Sequence, residues 1–199
     1  MRTFLRAMCV CALMVSPAAA GGFAEVVGGV MVPVAEDDYT DVIDESLKLG
    51  VRLGSIGPGG YGPEVAADWT AMDDGLESIA GVDTALSRYR LQLGARFGKP
   101  IGRNAEVFGR VAGGVDIVHF TADGTVVIVD VDYSETDLGI AAEVGAGVAV
   151  NLGKVSVGGQ VALPMAFHFE EDDPADPQDI DLEYTGIDID LLFTVAVKL

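Results

Sequence analysis

Arg88-Tyr89-Arg90-Leu91-Gln92-Leu93-Gly94-Ala95-Arg96-Phe97-Gly98 alternates without a break. Tyr89, Leu91, Leu93, Ala95 and Phe97 fall on one parity. Arg88, Arg90, Gln92, Gly94, Arg96 and Gly98 fall on the other. Successive side chains of a strand point to opposite faces, so one face is greasy and the other is arginine and glycine. A closed sheet built of such strands has lipid outside and a crowded polar lumen inside.

The same rhythm recurs on both sides of this stretch. The alternation predicts strands over Phe23–Val34, Ser46–Ser55, Pro63–Met72, Ser87–Gly98, Asn104–Val118, Leu138–Val150, Val155–Phe169 and Tyr184–Leu199. Gly57-Pro58-Gly59-Gly60 is a strong turn signal, and Lys99–Arg103 and Asn151–Lys154 make two further short turns. Long and short connections alternate. An up-and-down meander then puts the long loops at one end and the short turns at the other. The expected fold is all-β, an eight-stranded antiparallel up-and-down transmembrane β-barrel.

Charge follows the same division. The chain is 50% hydrophobic with mean hydropathy +0.38, yet carries a net charge of −19. A disordered acidic chain has few apolar residues. Glu36–Glu45, Asp73–Ser87, Thr121–Asp137 and Glu170–Glu183 contain no lysine or arginine and hold 23 of the 31 acidic residues. Such segments bury little and are expected as solvated loops or strand extensions. Within the third, Val126–Val131 is β-prone and is expected to prolong the fifth and sixth strands as a hairpin with an edge open to a partner.

Residues 1–20 read as a targeting segment. Arg2 and Arg6 precede an apolar run from Ala7 to Val15, and Ala18 and Ala20 fit a small-residue cleavage site. The run is shorter than the roughly 20 residues a membrane-spanning helix needs. Residues 21–199 are expected to form one barrel domain. Cys9 and Cys11, the only cysteines, precede the cut, which leaves no thiol chemistry and no disulfide after it.

The chain resembles the small eight-stranded outer-membrane barrels of the OmpA/OmpX type. The resemblance covers residues 23–199 and rests on the signal segment, the alternating strands, the short turns and the long loops. It implies location in the outer membrane of a Gram-negative-type bacterium after cleavage near Ala20, with membrane lipid as partner. One departure is that the family usually ends on an aromatic residue, whereas this chain reads Phe193-Thr194-Val195-Ala196-Val197-Lys198-Leu199.

Parity assigns a lumen charge network to Glu25, Lys48, Arg52, Glu64, Asp68, Arg88, Arg90, Arg96, Glu106, Arg110, Asp116, Glu143, Asp188 and Asp190, with Lys198 on the same face. Buried charges need partners, since an unpaired one costs several kcal/mol. Arg90 and Arg96 are expected to be held from neighbouring strands by Glu64, Asp68, Glu106 and Asp116. An eight-stranded barrel is just wide enough for its side chains to fill it. A salt-bridged plug is therefore expected, with a narrow ion-conducting channel as the alternative. A soluble periplasmic lipocalin-like barrel is a third reading, with its apolar face inside. The many small residues on the polar face, Gly50, Gly94, Gly114 and Gly145 among them, favour a crowded lumen over an exposed surface.

No enzyme is expected. Catalysis by serine needs a base within hydrogen-bond reach. His168 takes the lumen parity, His119 the lipid parity, and neither Ser46 nor Ser134 pairs with them by spacing. No cofactor is expected. Asp130-Val131-Asp132-Tyr133-Ser134 starts like a calcium loop, but Glu135 and Ala141 occupy the positions that need glycine and glutamate. Loose Ca²⁺ or another divalent cation at Glu170–Asp173, Asp176, Asp179 and Asp181, or an extracellular partner on the loops, is the expected extent of binding. Nucleic acid and anionic membrane surfaces are not expected as partners, since both repel such loops. Tyr61, Phe97 and Phe23 at the short-turn end, and Trp69, Tyr89, Phe120, Tyr133, Phe167 and Tyr184 at the loop end, are expected as interfacial anchors.

Overall fold

A computed structural model describes residues 21–34, 45–72, 82–126, 129–168 and 185–199. Eight strands follow in chain order: β1 Gly21–Pro33, β2 Ser46–Ile56, β3 Tyr61–Met72, β4 Val82–Ile101, β5 Ala105–Val126, β6 Val129–Leu152, β7 Val155–His168 and β8 Thr185–Lys198. Each pairs antiparallel with its chain neighbour, and β1 pairs with β8 from Phe23↔Lys198 to Pro33↔Asp188, which closes the barrel.

Three connections are tight, and each holds one glycine with positive φ: Gly60 (78°), Gly102 (67°) and Gly153 (80°). Side chains with a Cβ rarely adopt that conformation, so these glycines set the turns. The first, second and fourth acidic segments lie largely outside the described residues. The third does not form a loop. β5 and β6 stay in register through Thr121↔Ser134 and on to Val126↔Val129, so this segment is a hairpin extension. Its alternating β-branched residues explain why pairing persists. β4 likewise begins at Val82, inside the second acidic segment, and pairs with β5 from that point.

Strand length therefore differs around the barrel. β4, β5 and β6 have 20, 22 and 24 residues, against 11 to 14 elsewhere. A tilted strand crosses a bilayer in about 9–11 residues. The surplus in β4–β6 rises past the loop-side rim as a three-stranded sheet. Among the described residues, pairing between β6 and β7 starts at Gly139↔His168.

Burial is inverted relative to a soluble barrel. Leu93 is 65% exposed and Leu49, Val111, Val144, Leu163 and Phe193 also lie on the outside. The outward apolar side chains form a continuous belt across all eight strands. The interior is filled by charged and amide side chains, with Lys48, Arg52, Asp116, Asp188 and Asp190 fully buried. Such an exterior suits hydrocarbon, because the closed ladder leaves no strand edge in the belt and the charges face inward.

Candidate functional site

Small residues create the room for the lumen charges. Gly50 stands in register with Val27 on one side and Asp68 on the other. A Cβ there would run into the Asp68 carboxylate and Val27. A Cβ at Gly147 would meet the Phe108 ring, and one at Gly94 would meet the Val111 carbonyl and Ala112. Bulk on one strand is accommodated by its absence on the next.

Four levels stack along the axis. Nearest the loops, Met31 and Met72 pack with Leu86 in an apolar layer. Below it, Asp116 accepts from Arg88 Nε (2.7 Å), Arg90 Nε (3.0 Å) and His168 Nε2 (2.9 Å). The facing Asp188 accepts from Arg88 Nη1 and Arg90 Nη2, each at 3.0 Å. His168 Nδ1 contacts Asp137. The imidazole is thus clasped between two carboxylates.

At the third level Lys48 Nζ donates to Asp190 (2.5 Å) and stands 3.4 Å from Asp68 and 3.9 Å from Glu143. Arg52 Nη1 donates to Gln160 Oε1 at 2.5 Å, with Nη2 3.8 Å from Glu143. Arg110 donates from Nε to Glu64 (2.8 Å), from Nη1 to Glu143, and from Nη2 to Gln92 at a long 3.4 Å. At the fourth, Arg96 Nη1 donates to Glu25 at 2.5 Å and lies 3.8 Å from Glu64. Its guanidinium sits over the rings of Phe108 and Phe23, at 3.9 and 4.9 Å from their centroids. Guanidinium over an aromatic face is favourable and counts for more when desolvated.

Parity placed these charges on one face and gave two of the expected partners, Asp116 for Arg90 at 3.0 Å and Glu64 for Arg96 at 3.8 Å, but not the others. Asp68 is in register with Arg90, yet its near cation is Lys48. Arg90 instead reaches Asp188 on β8, and Arg96 reaches Glu25 on β1. These pairs span the lumen rather than joining adjacent strands. A long arginine in a narrow tube reaches the far wall as readily as its neighbour. Glu106 takes no part in the network. It is half-buried and lines a 440 Å³ cavity at the short-turn mouth with Arg96, Asn151, Ser156 and Lys198. Lys198 is exposed there.

The aromatic residues need a further correction. Phe23 is buried in the lumen beside Arg96, as its shared parity with Glu25 requires, and is not an interfacial anchor. Phe120 and Tyr133 pack on each other, ring centroids 6.1 Å apart, on the face of the extension that continues the lumen. Tyr61, Phe97, Tyr89 and Phe167 face outward. Tyr184 lies outside the described residues. Phe108, buried within the lumen, escaped sequence reading as a partner of Arg96, although its even position beside Glu106 and Arg110 gave the face.

Among the described residues, no group of three or more His, Cys, Asp or Glu is arranged to hold a metal ion. The acidic stretch Glu170–Asp181 lies outside them. Asp130–Ser134 belongs to a continuous strand. His119 Nδ1 stands 2.9 Å from Thr136 Oγ1 on the exposed face of the extension.

No protein-family model matches the chain. No curated protein matches it in sequence. Solved structures do match in fold. Neisserial surface protein A aligns at TM-score 0.57 and 11% identity, covering 89% of this chain and 97% of that one. Ail, the attachment invasion locus protein of Yersinia pestis, aligns at 0.51 and 13%, covering 90% and 98%. Ail has also been solved with the heparin analogue sucrose octasulfate. The outer membrane protease OmpT of Escherichia coli aligns at 0.53 and 7%, covering 94% and 100%. The fold is that of outer-membrane β-barrels, and one of these matches is an enzyme.

Proposed function

We propose that residues 21–199 form a non-enzymatic barrel in the outer membrane of a Gram-negative-type bacterium, after removal of residues 1–20. Its lumen is a structural plug, and its role is structural or surface-interactive. The observation that carries this reading is the inverted burial: cross-barrel ion pairs join Lys48 to Asp190, Arg88 to Asp188, Arg96 to Glu25 and Arg110 to Glu64, while leucine and valine cover the outside. Buried ion pairs of this kind fix a unique arrangement more than they add net stability.

The surface role is supported by the extension. Among the described residues, Val129–Leu138 of β6 pairs with β5 and with no part of β7, which makes its second edge the place for a partner strand. The sequence of that stretch is acidic, with four carboxylates and no lysine or arginine over residues 129–138. An extended cationic segment suits it, by strand addition. A sulfated polyanion of the kind seen with Ail does not suit these charges.

Narrow conduction is a second reading. It is supported by buried lumen atoms without a hydrogen-bond partner among the described residues, among them Arg52 Nε, Arg90 Nη1 and Asp68 Oδ1. Groups of this kind hold water or swap partners. Purification from membranes with heat-modifiable gel mobility, followed by planar-bilayer recording, tests both readings. The plug gives little or no current. Steady current altered by Arg90→Ala would establish the channel instead.

A further inference from the structure

The ten lysines and arginines after residue 20 divide into two groups. Six are buried in the lumen: Lys48, Arg52, Arg88, Arg90, Arg96 and Arg110. The other four, Lys99, Arg103, Lys154 and Lys198, are exposed, and all four lie at the short-turn rim. The three short turns hold no acidic residue. Of the two glutamates that line the mouth cavity, Glu25 is paired with Arg96, which leaves Glu106 as the one with no ion pair among the described residues. The rim is therefore cationic, while the opposite end carries the acidic segments.

The cations are not evenly spread. Lys198 N donates to the Lys154 carbonyl at 2.8 Å, which fixes these two residues side by side at the foot of β7 and β8. Asn151 N donates to the Asn104 carbonyl at 2.6 Å, which holds the Arg103 turn to the base of β6. Above this arc the lipid-facing wall has a groove lined by Val107, Ala146, Val148, Gly159, Val161 and Leu191. Its floor is open. A Cβ at Gly159 would meet only the Leu192 carbonyl, at 3.7 Å. The other side of the rim is built differently. There Tyr61 and Phe97 stand in register, outward and exposed.

We infer that the β5–β8 sector of the short-turn rim binds an anionic phospholipid of the adjacent leaflet. Its phosphate sits at the rim against Lys154, with Lys198 reaching over the lip from the mouth cavity and Arg103 adding to the field. One acyl chain lies in the groove over Ala146, Val148 and Gly159. The two features fit one ligand, since phosphate and chain are joined at the spacing between rim and groove, about five residues of strand at roughly 3.3 Å each. A second copy of the barrel suits the site less well, because it would bring the same cations together. The inference rests on the membrane reading above.

Each lysine near an anionic bilayer surface is worth about fivefold in affinity at ordinary salt. The test uses protein purified from membranes and placed in nanodiscs of phosphatidylcholine mixed equally with phosphatidylglycerol. Lipid retained on release is counted by native mass spectrometry. Phosphatidylglycerol should be retained over phosphatidylcholine by on the order of 20-fold. Lys154→Gln with Lys198→Gln should bring the ratio close to one. Both positions are exposed and should leave folding intact. Gly159→Leu should fill the groove, lowering retention of both lipids while keeping the preference. Equal retention by the unaltered protein, or a preference untouched by the double substitution, would overturn the inference. So would a dimer that Gly159→Leu dissociates, since a second copy would then own the groove. Failure to enter either bilayer would sink the membrane reading itself.

Discussion

The two faces of β4 share a backbone and obey opposite rules. Leu91, Leu93 and Phe97 look outward and need nothing specific, only a neighbour as apolar as themselves. Arg88, Arg90 and Arg96 alternate with them and are almost fully buried. Each needs a particular carboxylate at a particular height, and several find it on the far wall. The outer face is thus defined by a property and the inner face by partners. Substitutions that keep the property should be tolerated outside, whereas changes of a single atom group should be felt inside.

That contrast can be broken most severely from within. Asp116→Ala removes the carboxylate shared by Arg88, Arg90 and His168. Removing one partner of a buried charge set costs about 3–5 kcal/mol. Urea unfolding in vesicles should show that loss. An unchanged midpoint would mean that the network is not what holds the lumen. From the outside, Leu93→Arg should cost about 2–4 kcal/mol if the residue sits at the bilayer midplane. Leu93→Met should be close to neutral by the same assay.

Glycines sharpen the comparison at smaller scale. Gly94 faces inward, where a side chain would collide with the Val111 carbonyl and Ala112. Gly94→Val should destabilise by about 1–3 kcal/mol, the usual range for overpacking. Gly113 faces outward, its nearest obstacle the Ala141 carbonyl at 3.6 Å. Gly113→Ala should shift stability by no more than a few tenths of a kcal/mol, as at an open position. Between these two lies Gln92, whose contact with Arg110 is long at 3.4 Å. Gln92→Ala should cost about 1 kcal/mol, the net worth of one hydrogen bond.

The alternation from Arg88 to Gly98 was enough to assign the barrel and the inward face, because a strand's two-residue period needs no tertiary information. The neighbouring-strand partners, Asp116 for Arg90 and Glu64 for Arg96, were legible, and the partners across the lumen were not. Parity gives the side of the wall on which Arg90 lies, but not that Asp188 on β8 reaches it across the lumen. That depends on strand tilt and stagger, which no single strand encodes. Phe23 was misread for a related reason. An aromatic near a rim suggests anchoring, yet its parity with Glu25 puts it inside, where Arg96 stacks on it. The Thr121–Asp137 segment divided the evidence. Its charge argued for a loop and its valines for a strand, and pairing of β5 with β6 favoured the valines.

Trp69 is the only tryptophan in the chain and lies on the outward parity of β3, half-buried between Leu49 and Tyr89 in register. Its fluorescence reports directly on what bathes the outer face. With the protein folded in vesicles, dibrominated acyl chains should quench Trp69 strongly, and aqueous iodide should have almost no effect. Quenching by iodide without quenching by brominated lipid, together with solubility of the purified protein in detergent-free buffer, would place water outside the barrel and contradict the inverted burial on which the account stands.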